Sequence, residues 1–178
     1  MTRWGTPVMH APCTPVTAYD DELRSLVADM VATMYAADGV GLAANQIGES
    51  VSVFVFDCPD DEQVRHRGVV CNPTLSVPEG KDRVLDDSEE GCLSLPGAFI
   101  GCARADYASV SGFDERGEPV TYAGTGMLAR CLQHEYDHLQ GVVFGDRLPT
   151  RQRKKLYKEA EKYAEEFPPG WPADDEVN

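Results

Sequence analysis

The chain has 178 residues and a mass of 19.5 kDa, the size of one domain, and a chain of that length buries about 70% of its unfolded surface without staples. With 42% apolar and 26% charged residues it is globular in composition, and its formal net charge of −14 opposes nucleic-acid phosphates and anionic lipid, so neither DNA nor a membrane is an expected partner. No apolar run approaches the roughly 20 residues that span a bilayer, Met1-Thr2-Arg3-Trp4 does not open a signal peptide, and six scattered cysteines without a Cys-x-x-Cys pair point to the cytoplasm.

In chain order, Leu23, Leu26, Val27, Met30, Val31, Met34 and Tyr35 recur at three- and four-residue steps. They predict an amphipathic helix, with Thr17 and Asp20 as its capping signal and Gly39 as its left-handed stop. Residues 41–48 are small and carry no helical stripe. Residues 51–56 read as a strand, 57–68 as an exposed loop, and 69–77 as a second strand broken near Pro73. An acidic stretch, 86–90, runs into Gly91-Cys92-Leu93-Ser94-Leu95-Pro96-Gly97. Residues 107–113 and 118–122 flank Asp114-Glu115-Arg116-Gly117, a hairpin signal. Thr125 caps a predicted helix that ends near Leu139, with Gly141 as its break. A last helix over about 150–167 places Leu156, Tyr157, Ala160, Tyr163, Ala164 and Phe167 on one side. The chain shows no repeats and no regular βαβ alternation. The expectation is one α+β domain over 1–167 with mainly antiparallel sheets, followed by a flexible tail, 168–178.

The chemistry concentrates in His134-Glu135-Tyr136-Asp137-His138. On a helix, side chains four residues apart are neighbours, about 5–6 Å apart at the β-carbon, so the two imidazoles can converge on one metal ion. The Glu135 carboxylate can then take a proton from a water whose pKa a zinc-type ion lowers toward about 7. A catalytic site needs a third protein ligand and an open position. His10, His66, a carboxylate or one of the cysteines would serve. Cys92 stands out because Gly91 and the Leu-Pro-Gly turn after it suit backbone held close to a reacting centre.

Three segments, in this order, resemble the signature of the peptide deformylases: Gly39-Val40-Gly41-Leu42-Ala43-Ala44-Asn45-Gln46, Glu90-Gly91-Cys92-Leu93-Ser94, and Gln133-His134-Glu135-Tyr136-Asp137-His138-Leu139-Gln140-Gly141. The resemblance covers about residues 1–167. It implies sheets packed around a central metal-binding helix, with a helix at the C-terminal end. The implied activity is removal of the formyl group from the N-terminal methionine of newly made proteins, releasing formate. Carried over position by position, it implies Cys92, His134 and His138 as metal ligands and Glu135 as general base and acid. It implies that Gln46 and the Leu93 backbone N–H hold the oxyanion, and that Val40, Gly41, Met127 and Cys131 bind the methionine side chain. Ferrous iron is the implied ion in the cell, with zinc, nickel or cobalt as substitutes, since a thiolate favours softer ions.

The same resemblance implies a Glu90–Arg104 pair bracing the turn that carries Cys92. It also implies a monomer acting on formyl-methionyl nascent peptides, with ribosome docking through the last helix. That helix gathers Arg151, Arg153, Lys154, Lys155, Lys158 and Lys162, which could equally form a solvated face paired with neighbouring glutamates. Gln133 either supports the turn or faces solvent. Arg130 stands where many relatives carry a smaller apolar residue, which leaves the shape of that wall open. His10 and His66 read as exposed. Cys13, Cys58, Cys71 and Cys102 read as packing. Two other functions share parts of the pattern. A zinc endopeptidase uses the same His-Glu-x-x-His but recruits a later His or Glu. A non-catalytic ribosome-binding module would need a closed four-ligand metal site.

Overall fold

The computed structural model describes residues 1–168 and 170–172. Helix α1, Asp21–Ala36, starts where the Asp20 side chain accepts from Leu23 N, and Asp21 and Glu22 place negative charge in its first turn. Thr17 lies outside that cap. The left-handed residue at the far end is Asp38, with φ 53°, not Gly39. Gly39 is needed for a different reason, because a β-carbon there would come 2.7 Å from Leu93 Cδ1. Leu23, Val27, Met30 and Met34 are the buried face of α1, as the periodicity predicts.

Strand β1, Gly41–Ala43, passes into a 3-10 turn, Ala44–Ile47, and is followed by β2, Val53–Pro59, and β3, Arg65–Ser76. The stretch read as a loop over 57–68 is therefore mostly a hairpin. Asp57 and Cys58 are buried on β2, and Arg65 to Gly68 pair with Pro59 back to Phe56. The alternation was hidden by charged side chains on the exposed positions of β3. The predicted break near Pro73 is a shift in register between Cys71 and Thr74.

Two short strands, β4 (Leu85–Asp86) and β5 (Glu89–Gly91), pair with β7 (Arg104–Ala105) and β6 (Phe99–Gly101) respectively. Strands β8, Tyr107–Phe113, and β9, Pro119–Thr125, form the expected hairpin and extend the main sheet to the order β1-β2-β3-β8-β9. All of these ladders are antiparallel.

Helix α2, Gly126–Leu139, packs across β1, β2, β3, β8 and β9. Apart from Tyr136 it is buried from Leu128 to Leu139. The left-handed Gly141, with φ 74°, ends it. Helix α3, Thr150–Lys162, stops five residues short of the predicted end. It docks through Leu156 and a stack of Tyr157 on Trp4 with ring centroids 4.0 Å apart. In the stretch expected to be a flexible tail, Trp171 meets the Phe167 ring edge-on, and its carbonyl accepts from the Met1 ammonium at 2.9 Å. Residues 169 and 173–178 of that tail lie outside the described residues.

Asp57, 7% exposed, accepts from Tyr35 Oη at 2.6 Å and from Arg65 Nε at 2.5 Å. The Arg65 bond holds its carboxyl below the ordinary range against the opposing effect of burial. A lowered folded-state pKa stabilises above the unfolded value and is lost as pH falls through the folded one. Asp57→Asn is expected to cost about 1 kcal/mol at pH 7, mostly through the Tyr35 bond because Arg65 is largely exposed. The gap from the parent should shrink on acidification below pH ~4. Urea unfolding at both pH values measures it, and a gap that is constant with pH would contradict the assignment.

Candidate metal centre

Helix α2 presents His134 and His138 one turn apart, and the turn after β5 brings Cys92 to meet them. Cys92 Sγ lies 3.2 Å from His138 Nε2, and the two Nε2 atoms are 3.1 Å apart. These three buried donors lie within 4.8 Å of one another. One thiol and two imidazoles converging this tightly suit a borderline or soft divalent cation. Among the described residues no fourth Cys, His, Asp or Glu joins the group, and three protein donors are the set that leaves a position open for substrate chemistry. The later ligand that a zinc endopeptidase would recruit has no counterpart in this group.

Glu90 orients the first histidine. Its Oε1 lies 2.7 Å from His134 Nδ1, which accounts for an Nδ1 proton and leaves Nε2 as the atom facing His138 Nε2. Burial raises the Glu90 carboxyl, but Arg104 and His134 outweigh that and hold it well below its ordinary value. Burial lowers His134, yet Cys92 and Glu90 bring it well above an ordinary imidazole; His138 falls well below, through burial and the neighbouring His134. Glu135 is 3% exposed, burial pushes its carboxyl up to about 7, and its Oε2 has no hydrogen-bond partner among the described residues.

The first sequence segment closes the other side. Gln46 Oε1 accepts from Ala43 N at 2.8 Å, which leaves Nε2 facing Cys92 Sγ at 3.6 Å and Ser94 Oγ at 3.4 Å. A β-carbon on Gly41 would come 2.5 Å from Glu135 Oε1 and 2.7 Å from Cys131 Sγ, so only glycine lets β1 approach α2 here. Beside the donors lies a cavity of about 610 Å³. Val40, Gly41, Leu93, Met127 and Cys131 all line it, as do Phe167 and Trp171 from the C-terminal stretch. No motif or spacing around Phe167 and Trp171 places those two aromatics at the site.

His10 is exposed, with Nε2 2.5 Å from Trp4 O. His66 is half-buried and paired with Asp60 at 2.8 Å, so it is not the free surface histidine expected. Cys58, Cys71 and Cys102 are buried in the apolar clusters, and Cys13 is half-buried. Gln133 neither faces solvent nor braces the cysteine turn. It bonds both backbone groups of Ala105 and so fastens α2 to β7.

The expected Glu90–Arg104 pair is present, with Arg104 Nη2 2.6 Å from Glu90 Oε1 and Nε 3.0 Å from Oε2. Arg104 also reaches Asp137 Oδ2 at 2.6 Å, and Arg147 grips Asp137 from the other side. The role of Asp137 was missed. The available signal was a charged residue in a helix buried nearly all round, which requires a partner. Arg104→Met would leave two buried carboxylates each short of one cation and should cost about 3 kcal/mol. The measurement is the urea midpoint of the metal-free protein, and a loss under about 1 kcal/mol would contradict the bracing role.

Comparison with known proteins agrees with this geometry. The family model for polypeptide deformylase matches residues 1–154. Peptide deformylase 1 of Streptomyces avermitilis is 53% identical over 94% of this chain and 78% of its own length. Peptide deformylase 2 of Streptomyces coelicolor is 57% identical over 87% of this chain and 85% of its own. Among solved structures, the peptide deformylase of Legionella pneumophila superposes with a TM-score of 0.81 at 37% identity, covering 91% of this chain and 92% of that one. The Synechococcus elongatus enzyme in complex with actinonin gives 0.78 at 38% identity, covering 90% and 83%. With its signature segments gathered around one cavity and this degree of likeness, the chain belongs to the polypeptide deformylase family.

Proposed function

We propose that this chain removes the N-formyl group from the N-terminal formyl-methionine of newly synthesised proteins, with Cys92, His134 and His138 holding one divalent cation. The observation that carries the reading is the convergence of those three donors beside a buried carboxylate with a free oxygen, Glu135. Held by these three residues, a divalent cation would supply Lewis acidity and would lower the pKa of a water toward about 7. Glu135 takes the proton of the attacking water and passes it to the departing amine nitrogen. Burial tunes it for both transfers, because a pKa of about 7 lets one group serve as base and then as acid near neutrality. Gln46 Nε2 and the Leu93 N–H hold the oxygen that becomes negative as the formyl carbon turns tetrahedral. Ala43 fixes the Gln46 amide in advance, and losing one such donor costs roughly 10²–10³ in rate.

The methionine side chain enters the cavity between Val40, Gly41, Met127 and Cys131. The thiolate favours softer ions such as ferrous iron or zinc, and the family resemblance suggests ferrous iron as the resident ion in the cell, with zinc, nickel or cobalt as replacements. Nascent peptides place the enzyme in the cytoplasm, and no helix among the described residues is long and apolar enough to cross a membrane. The exposed Arg151, Lys154, Lys155 and Lys158 of α3 give a local basic face suited to ribosomal RNA on a protein acidic elsewhere. The enzyme acts as a monomer.

Glu135→Gln is expected to keep its metal while formate release from formyl-Met-Ala-Ser falls by about 10²–10⁴. Turnover near the parent rate would remove Glu135 from the mechanism. Cys92→Ala should emerge from anaerobic purification with its metal content sharply reduced. Elemental analysis showing full occupancy would place the third ligand elsewhere.

A further inference from the structure

Arg130 stands on α2 one turn before His134 and is 5% exposed. It lines the cavity, but its guanidinium is committed to protein partners. Nη1 donates to Glu90 Oε2 at 2.8 Å and to the Cys102 carbonyl at 2.7 Å. Nη2 donates to the Asp86 carbonyl at 3.0 Å and to Asp86 Oδ2 at 2.8 Å. One side chain therefore joins α2 to β4, to β5 and to the segment between β6 and β7. The centre draws its ligands from the two bodies joined in this way, since both histidines lie on α2 and Cys92 directly follows β5.

We propose that Arg130 is a positioning residue for the metal centre. It adds a second donor to Glu90 Oε2 beside Arg104 Nε, reinforcing the orientation that keeps Oε1 on His134 Nδ1, and it sets the separation between the Cys92 turn and α2. The proposal rests on the reading of Cys92, His134 and His138 as ligands of a divalent cation. Two guanidinium groups share Glu90, but they are not equivalent. Arg104 separates two carboxylates that are both 3% exposed, so its loss falls on folding. Arg130 bridges Glu90 to Asp86, whose side chain is 35% exposed and can return to water, while Glu90 keeps Arg104 and His134. What disappears with Arg130 is one of the two donors to Oε2, Arg104 Nε remaining, together with the tie to Asp86 and Cys102, not the charge balance of a sealed pair. A planar fork with several donors is required, because an ammonium is a point charge that does not bridge the same four acceptors.

The test is anaerobic titration of metal-stripped protein with Co²⁺, against a competing chelator, reading affinity, release rate and the visible and thiolate charge-transfer bands. Arg130→Met retains the stem and should bind Co²⁺ about tenfold more weakly, the lower end of the effect of losing a group that orients a ligand. It should also release the ion faster and shift the bands, while far-UV circular dichroism stays unchanged. Arg130→Lys should fall between the two. Parent-like affinity and bands in Arg130→Met would overturn the proposal. If that variant does not fold, Asp86→Ala frees one end of the clamp and should speed Co²⁺ release severalfold; parent-like release in Asp86→Ala would overturn it equally. A parent protein that takes up no Co²⁺ with a thiolate band would instead remove the metal-centre reading itself.

Discussion

The buried carboxylate of Glu90 is the point at which fold and site become one problem. It is 4% exposed and accepts from Arg104 on both oxygens, from Arg130 on one and from His134 on the other. An isolated anion there would cost several kcal/mol in lost hydration. Two guanidinium groups offset that cost, and each brings a further carboxylate with it. The result is a line of alternating sign, Asp86, Arg130, Glu90, Arg104, Asp137, Arg147, running beneath both histidines. Each charge in this line faces its opposite, so its buried middle, Arg130, Glu90, Arg104 and Asp137, is compensated, while Asp86 and Arg147 at the ends reach water. It reaches α2, β4, β5, β7 and the 3-10 helix Phe144–Arg147, so the two short sheets are tied to α2 by ionic bonds as well as by their own ladders.

Much of this was legible in the sequence, for reasons that differ by element. Helix α1 shows a clean apolar stripe because one of its faces meets water. The hairpin at Asp114 to Gly117 shows because turn chemistry is local. The candidate metal donors on α2 show because His134 and His138 have a spacing with a geometric meaning. Cys92 was different, since nothing in its neighbours' polarity requires it to meet two histidines more than forty residues later. Its assignment needed the ordered trio of segments. The same holds for Gln46, whose role depends on an Ala43 N–H that only the folded turn presents.

The hidden parts share one physical cause, which is polar side chains whose partners are distant in sequence. Residues 57–68 look like a loop because Asp57, Arg65 and Arg67 mask a strand alternation. In the fold, Asp57 is capped by Tyr35 from α1 and by Arg65 across the hairpin. The acidity of that hairpin also has a structural use. Thr125 gives α2 no side-chain cap, while a β-carbon on Gly126 would run into the Asp61 carboxylate. A negative group from the β2–β3 turn thus sits at the positive end of the dipole of α2, where it is favourable. Gly126, with φ 58°, leaves room for it.

A helix buried as completely as α2 could have been built from apolar side chains, and swapping a buried ionic cluster for such residues often raises stability. That route would lose position. Apolar contacts are non-directional and tolerate a slide of a fraction of an ångström, whereas a carboxylate shared by two forks and an imidazole has one arrangement that satisfies every donor. A metal centre assembled from separate elements needs its donors fixed to that tolerance. Gln133 and Asp137 therefore occupy helix positions that packing alone would give to leucine, and each ties α2 to another part of the chain through bonds of defined direction. The charges inside this protein are best understood as the means by which a helix, two short strand pairs and a sheet hold one thiol and two imidazoles at one point.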